Sequence, residues 1–149
     1  MARVTVTDEA QIRALIDDRV KAVHGKDAQA AVRDIAPDIV SFDVVNPLRR
    51  VGSDENERRA EEWFSSFQGP IGFEIRDLSI TASNNLAFSH ALHRYSGTTV
   101  NGQQLGMWVR ATACYRKIDG KWMMTHEHQS VPFNPQTGDA SLNLEPSEH

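Results

Sequence analysis

Cysteine is almost absent from this sequence, in which Cys114 is the single one. One cysteine can form neither an internal disulfide nor a cysteine-based zinc site. Long apolar runs are missing as well, because none approaches the roughly 20 residues that a membrane-spanning helix needs. The segment Met1–Ala10 lacks the apolar stretch of a secretion signal, so a cytoplasmic location is expected and a membrane partner is not.

Basic residues are also fewer than acidic ones. The chain carries 16 Lys and Arg residues against 20 Asp and Glu residues, which gives a net charge of −4 at pH 7. Because a surface that follows nucleic-acid phosphates needs the opposite balance, nucleic acid is not an expected partner. A glycine-rich phosphate-binding loop is missing too, which disfavours NAD, FAD and ATP, and no cofactor is predicted.

What is present fits one globular domain. The chain has 149 residues, of which 40% are hydrophobic and 24% charged, and this is enough to bury a core. Apolar residues at helical spacing predict a first helix that is capped by Thr7 and closed by Gly25. A shorter second helix is predicted between Asp27 and Pro37. The β-branched run 39–45 predicts a short strand.

The second half of the sequence predicts a sheet. Turn signals separate long strands, which are predicted at residues 86–98, 103–118 and 121–131. Helices followed by strands favour an α+β fold. A long, strongly coiled sheet over three helices forms a cone that can keep a hollow at its wide end. Residues 134–149 are predicted to form a polar tail.

The segment between Arg110 and Pro132 carries the most specific motif. Its sequence, RATACYRKIDGKWMMTHEHQSVP, resembles the R-x-T … K-x-D-G-x-W-x-x-x-H-x-H-x-S-x-P stretch of the SnoaL-like group in the nuclear transport factor 2-like superfamily. The order of elements extends the resemblance over about residues 7–133. The resemblance implies a cone-shaped α+β fold, with a single SnoaL-like domain at residues 1–133. It also implies a homodimer, because members of this superfamily commonly pair sheet to sheet.

The resemblance implies a small-molecule pocket of the ketosteroid isomerase-like type. The superfamily includes isomerases, polyketide cyclases, dehydratases, epoxide hydrolases and plain binding or assembly domains. A third helix, predicted to begin at Ser53, offers an aromatic face of Trp63, Phe64 and Phe67 to such a pocket. Core packing is the competing interpretation of these aromatics.

Alternation along the strands assigns the other pocket residues. The resemblance places Trp122 inside, and Arg110 and Phe88 are assigned to the same face as Trp122. Alternation along each strand then gives a concave face of Phe88, His90, Trp108, Arg110, His126 and His128. An apolar hollow with a few convergent polar groups is typical of ligand sites. The opposite face receives Met107, Val109, Ala111, Ala113, Tyr115 and Met123. Because that set is too apolar to face water, homodimerisation is predicted through it.

Asp43 is the first catalytic candidate. The resemblance implies that it lies where ketosteroid isomerases hold their general base, and burial beside apolar side chains would favour that role. The tyrosine that those isomerases carry on the first helix is missing here, where Arg19 stands, so steroid isomerisation itself is not expected. The leading hypothesis is cofactor-free proton transfer, as in an isomerase, cyclase or dehydratase. Asp43 or His128 would be the base, and His90 and Arg110 would hold the oxygen of a small apolar carbonyl-bearing or polycyclic substrate.

Two other classes stay open. The protein could be a ligand-binding or dimerisation domain without chemistry, in which Arg110 forms a structural salt bridge with Asp43 or Glu127. It could also be a metal enzyme that uses His90, His126 and His128 as ligands. The leading prediction assigns no metal.

Overall fold

The computed structural model describes residues 6–147 as three helices and one six-stranded sheet. The helices are α1 (Asp8–His24), α2 (Ala28–Ala31) and α3 (Ser53–Ser65). The strands are β1 (Ile35–Phe42), β2 (Arg50–Val51), β3 (Phe67–Ser83), β4 (Leu86–Thr99), β5 (Gln104–Ile118) and β6 (Lys121–Ser130). The predicted α+β class is therefore confirmed. Among these helices, a segment with the length and hydropathy to cross a membrane was not found.

The sheet is curved and does not close into a barrel. Its strand order is β2-β1-β6-β5-β4-β3, and every neighbouring pair is antiparallel except β1 with β6. Pairing between β3 and β4 shifts register twice, after Gln68 and after Arg76. Such irregularities bend a strand and increase its twist, and so they help the sheet to wrap around the helices.

The predicted start and end of the first helix are confirmed. The Thr7 hydroxyl accepts a hydrogen bond from the Ala10 N–H at 3.1 Å, and Gly25 caps the other end of the helix. The second helix is shorter than predicted, because the chain is already extended at Ile35. Pro37, predicted to stop a helix, instead lies inside β1. Pro37 falls between Ile35 and Val40, where the register of β1 against β6 shifts. Because Pro37 is not paired with a residue of β6, the lack of an N–H does not interrupt the pairing of these strands.

Both hairpin predictions in the second half are confirmed. At the β5–β6 turn, Asp119 has φ 52° and Gly120 has φ 79°, as a two-residue turn matched to the sheet twist requires. The Asn101–Gly102 signal likewise falls between β4 and β5. Beyond β6 the chain turns back on itself, and Phe133 pairs with Ala140 in an isolated antiparallel bridge.

The core lies between the helices and one face of the sheet, which we name the inner face. One cluster of buried residues joins α1 to strands β1, β4, β5 and β6. It comprises Ile12, Leu15, Ile16, Ile35, Ile39, Ala87, Ala113, Tyr115, Trp122 and Met124. A second cluster joins α1, α2, α3 and β3, and it comprises Ala22, Val23, Ala31, Phe64, Phe67 and Ile71. Trp122 is therefore inside, as predicted.

A bulge in β6 and the pairing of β5 with β6 together overturn the predicted inner face. Lys117 pairs with Trp122, so alternation along β5 places Tyr115, and not Arg110, on the face of Trp122. Tyr115 pairs with Met124 but its neighbour Cys114 pairs with His126, so Thr125 is an extra residue. Trp122 and Met124 face inward before this bulge, and after it the inward positions are those of Glu127 and Gln129. Strict alternation from Trp122 therefore fails at this point.

The residues predicted for an exposed dimer face are mostly inside instead. Val109, Ala111, Ala113 and Tyr115 are buried against the helices, and Met107 lies on the same inner face. Homodimerisation through these residues is a wrong prediction. The opposite face of the sheet, which we name the outer face, is the one available to a partner.

Candidate functional site

A hollow of about 240 Å³ lies between α3, the end of β1 and the inner face of the sheet. Its apolar lining includes Val23, Ile35, Trp63, Phe73, Met107 and Val109. On α3, Asn56, Ala60 and Trp63 recur at helical spacing and therefore face the same hollow. The Trp63 ring packs edge-on against Phe67 and Tyr95 at centroid distances of 5.7 and 5.2 Å.

The inner ion pair of the hollow joins α1 to β6. Arg19 Nη1 and Nη2 donate to the two oxygens of the Glu127 carboxylate, at 2.7 and 2.8 Å. The two side chains are only 21% and 12% exposed. Burial alone would raise the pKa of Glu127, but the Arg19 charge and its two hydrogen bonds outweigh burial and hold the pKa at about 2. Glu127 is therefore a fixed anion, and Arg19 neutralises it.

The Tyr95 hydroxyl lies close to this pair. Gln129 Nε2 donates to the Tyr95 oxygen at 3.0 Å, and His93 Nδ1 lies 3.2 Å from that oxygen. Burial, together with the negative charge of Glu127, raises the pKa of Tyr95 above its ordinary value. The hydroxyl is therefore protonated at neutral pH, and it can donate to His93 or to a ligand oxygen.

The outer ion pair of the hollow joins Asp43 to Arg50. Arg50 Nη1 donates to Asp43 Oδ2 at 2.5 Å, and the Val44 N–H donates to Asp43 Oδ1 at 2.6 Å. The Arg50 side chain is 6% exposed, whereas that of Asp43 is 31% exposed. Arg50 Nη2 also donates to the Asn46 carbonyl at 2.6 Å, so the arginine fixes the loop that carries the aspartate.

Four of the ten predicted site residues line the hollow, and these are Asp43, Trp63, Phe64 and Phe67. The other six lie on the outer face of the sheet, and these are Phe88, His90, Trp108, Arg110, His126 and His128. The prediction that these six face the hollow is wrong. The Thr125 bulge is the reason for His126 and His128. For the residues of β4 and β5 the reason is register, because Lys117 and Tyr115 pair with Trp122 and Met124 and share their face, whereas Arg110 lies on the opposite face.

The outer-face histidines and Arg110 have partners of their own. His126 Nδ1 lies 2.6 Å from the Val40 carbonyl, and the edge of Phe42 packs on both His126 and His128. Arg110 Nε donates to Ser130 Oγ at 3.2 Å. The predicted salt bridge from Arg110 to Asp43 or Glu127 is therefore wrong, because other arginines pair with those carboxylates.

The structure does not support the alternative of a metal site built from three histidines. Within residues 6–147, no three His, Cys, Asp or Glu side chains come together in a way that could hold an ion. His90 and His128 pair with opposite sides of Thr112, two strands apart. His90, His126 and His128 therefore do not form the proposed ligand set.

Sequence reasoning missed most of the polar residues that line the hollow, and the missed ones are Arg19, Ser41, Arg50, Asn56, Arg59, Tyr95, Glu127 and Gln129. One signal was available for Arg19, since it lies three residues after Ile16 and four before Val23, on the apolar stripe of α1. A charge on such a stripe requires a buried partner. Because α1 packs on the inner face of the sheet, this reasoning would have directed the search for a carboxylate partner of Arg19 to that face.

Comparison with known proteins gives one family match and many structural matches. The sequence model of the SnoaL-like domain family matches residues 12–134. No functionally curated protein matches the sequence. Among solved structures, an NTF2-like protein of unknown function from Pseudomonas putida KT2440 is 32% identical, and the match covers 95% of this chain and 100% of that one with a TM-score of 0.84.

Two more distant structures share the fold. A ketosteroid isomerase-like protein from Erwinia carotovora atroseptica SCRI1043 is 21% identical, and the match covers 84% of this chain and 97% of that one with a TM-score of 0.70. The association domain of C. elegans CaMKII is 14% identical, covering 83% of this chain and 95% of its own with a TM-score of 0.64. At these identities the likeness shows the fold alone.

Proposed function

Since this chain belongs to the SnoaL-like domain family, we propose that it binds a small, largely apolar molecule with a carbonyl or hydroxyl oxygen, and that Asp43 exchanges a proton with it without a cofactor. The observation that carries the proposal is the convergence of Asp43, Tyr95 and Gln129 on one aromatic-lined hollow. Drug-sized ligands occupy pockets of ~300–1,000 Å³. A hollow of about 240 Å³ therefore favours a molecule of one or two rings.

Asp43 is the carboxylate better placed for proton transfer. Glu127 is a weak base, because Arg19 holds its pKa at about 2. Asp43 accepts one hydrogen bond at each oxygen, from Arg50 and from the Val44 N–H, and each oxygen keeps a further lone pair. Removal of a proton from the carbon beside a carbonyl would leave an enolate, and return of that proton to another carbon would complete an isomerisation.

Tyr95 is the proposed donor to the ligand oxygen. Gln129 fills one acceptor position of the hydroxyl, and the raised pKa keeps the hydroxyl proton in place. A neutral donor aimed at the oxygen where charge develops stabilises an enolate. In this proposal Tyr95, oriented by Gln129, takes the role that the sequence assigned to His90 and Arg110.

Proton exchange on 2-tetralone, a two-ring ketone with exchangeable protons beside its carbonyl, tests this proposal. In D₂O the wild-type protein should accelerate loss of those proton signals from the NMR spectrum beyond the rate in buffer. Asp43→Asn should reduce the acceleration by about 100-fold or more, which is the usual size of a general-base contribution. Asp38→Asn, at an exposed aspartate inside β1, should leave the rate unchanged. A wild-type rate in Asp43→Asn would refute the assignment.

Binding without chemistry is the second candidate function. The observation that favours it is that an arginine already engages each carboxylate of the hollow, as in structural ion pairs. In that case 2-tetralone would show saturation-transfer contact with the protein, and its exchange would proceed at the rate in buffer.

We also propose that a second copy of the chain covers the outer face of the sheet. Phe88 and Phe42 are 46% and 36% exposed there. The Trp108 indole N–H, on the same face, is buried and has no acceptor among the described residues. An exposed aromatic surface on a sheet is typical of an interface.

A further inference from the structure

The charges that line the hollow do not cancel. Five charged side chains contribute to the lining, and these are Arg19, Arg50, Arg59, Asp43 and Glu127. Arg19 neutralises Glu127, and Arg50 neutralises Asp43. Arg59 is left as a positive charge without a matching carboxylate in the hollow.

Arg59 is also the least constrained of the three arginines. Its nearest carboxylate is Glu62, at 3.8 Å, which is beyond hydrogen-bond distance. Glu62 is 54% exposed and its other oxygen already accepts from Arg58. Within residues 6–147, the Arg59 side chain makes no hydrogen bond, and it is 29% exposed. Its guanidinium can therefore turn toward a ligand without breaking an existing bond.

The position of Arg59 on α3 fits a role at the edge of the hollow. It follows Asn56 by three residues and precedes Trp63 by four, so all three side chains share one helix face. A ring that packs against Trp63 would place a substituent within reach of Arg59. A planar guanidinium is suited to hold a carboxylate through two parallel hydrogen bonds.

We propose that the ligand of the hollow is a monoanion, an aromatic or alicyclic carboxylate, and that Arg59 binds its carboxylate. The inference rests on the proposed function and narrows its ligand class from any oxygen-bearing molecule to an acid. A single negative charge matches the single uncompensated arginine. A dianion such as a phosphate monoester would carry a second charge that the lining does not neutralise.

Binding of three ring-matched probes tests this inference. The probes are 2-naphthoate, its methyl ester and 2-naphthol, of which only the first is charged at neutral pH. The wild-type protein should bind 2-naphthoate about tenfold more tightly than the ester, measured by titration calorimetry. Higher salt should weaken naphthoate binding and leave naphthol binding unchanged.

Two variants separate the role of Arg59 from a general effect of charge. Arg59→Gln should lower the affinity for 2-naphthoate about tenfold and leave that for 2-naphthol unchanged. Arg58→Gln removes the same charge from the neighbouring position, which points away from the hollow, and it should bind all three probes as the wild-type protein does.

The outcomes distinguish the two proposals. If 2-naphthol binds but the wild-type protein does not prefer naphthoate to its ester, the inference fails and the proposed function stands. Equal losses in Arg58→Gln and Arg59→Gln would also overturn the inference. If none of the probes binds, the proposed function fails and the inference falls with it. The comparison of naphthoate with its ester needs no variant, so it holds even if Arg59→Gln does not fold.

Discussion

His93 lies buried on the inner face of β4, with its Nδ1 3.2 Å from the Tyr95 hydroxyl. Burial lowers the pKa of His93 to about 4, the charge of Glu127 opposes this shift, and the charge of Arg19 adds to it. The imidazole is therefore neutral in the folded protein at neutral pH. Its ring supports the Tyr95 hydroxyl of the hollow without contributing a charge.

The buried imidazole predicts an acid-sensitive fold. Between pH ~6.5, the ordinary pKa of histidine, and the folded value of about 4, the unfolded chain binds a proton that the folded protein does not. The free energy of unfolding therefore falls as the pH falls through this window, by about 3 kcal/mol in total. Urea titrations at several pH values should show this loss in the wild-type protein and a much smaller loss in His93→Gln.

His90→Gln is the matched control for this measurement. His90 lies on the outer face of the same strand, away from the Tyr95 hydroxyl and Glu127, so its replacement should leave the loss assigned to His93 in place. Glu127 acts in a lower window, because its lowered pKa contributes stability that is lost only as the pH falls from ~4.3 toward about 2. Equal slopes for wild type and His93→Gln between pH ~6.5 and ~4 would contradict the account of His93.

At the scale of helices and strands, features that depend on neighbouring residues in the sequence were predicted better than features that depend on pairing between strands. The Thr7 cap and the Asp119–Gly120 hairpin depend on a few neighbouring residues, and both are confirmed. The direction of the β6 side chains beyond Met124 depends on one extra residue, Thr125, which no local propensity marks. This bulge and a misassigned register of β5 against β6 therefore separated correct strand predictions from a wrong set of pocket residues.

A compositional signal for the correct face was nevertheless present. In β5 the inward positions Val109, Ala111 and Ala113 alternate with Arg110 and Thr112, and this alternation alone predicts the buried side. Placing Arg110 on the face of Trp122 instead carried the error to both strands, although the Asp119–Gly120 turn pairs Lys117 with Trp122. The residues on α3 and at the end of β1 escaped it, because their direction does not depend on β6.

The β5–β6 turn gives an element-scale prediction. Gly120 has φ 79°, where an L residue with a Cβ is strained, whereas Gly25 at the end of α1 has φ −84°. Gly120→Ala should therefore lower the free energy of unfolding by about 1 kcal/mol. Gly25→Ala should be nearly neutral, since an added Cβ would meet only the Lys21 carbonyl oxygen at 3.5 Å. Chemical denaturation measures both, and equal effects would contradict the explanation.

At the scale of the whole molecule, the two faces of the sheet have different roles. The inner face builds the hollow, and the outer face is proposed to pair with a second copy of the chain. Light scattering should give twice the chain mass for the wild-type protein. Phe88→Glu would bury a charge at the interface and should give a monomer. Leu48→Glu, at a leucine 95% exposed in the β1–β2 loop, should leave the dimer intact.

A monomeric wild-type protein at micromolar concentration would refute the pairing, and so would a Phe88→Glu variant that keeps the mass of a dimer. The hollow itself is formed within one chain, so neither result would bear on ligand binding.

The most direct test of the central claim is to locate a bound ligand by NMR with methyl-labelled methionine. Met107 lines the hollow on the inner face, whereas Met123 lies opposite Arg116 on the outer face. At saturation with 2-naphthol, nuclear Overhauser effects should join the ligand's ring protons to the Met107 methyl group and not to that of Met123, with Met107→Leu confirming the assignment. Contacts to Met123 alone, or a bound ligand without contact to Met107, would contradict the account.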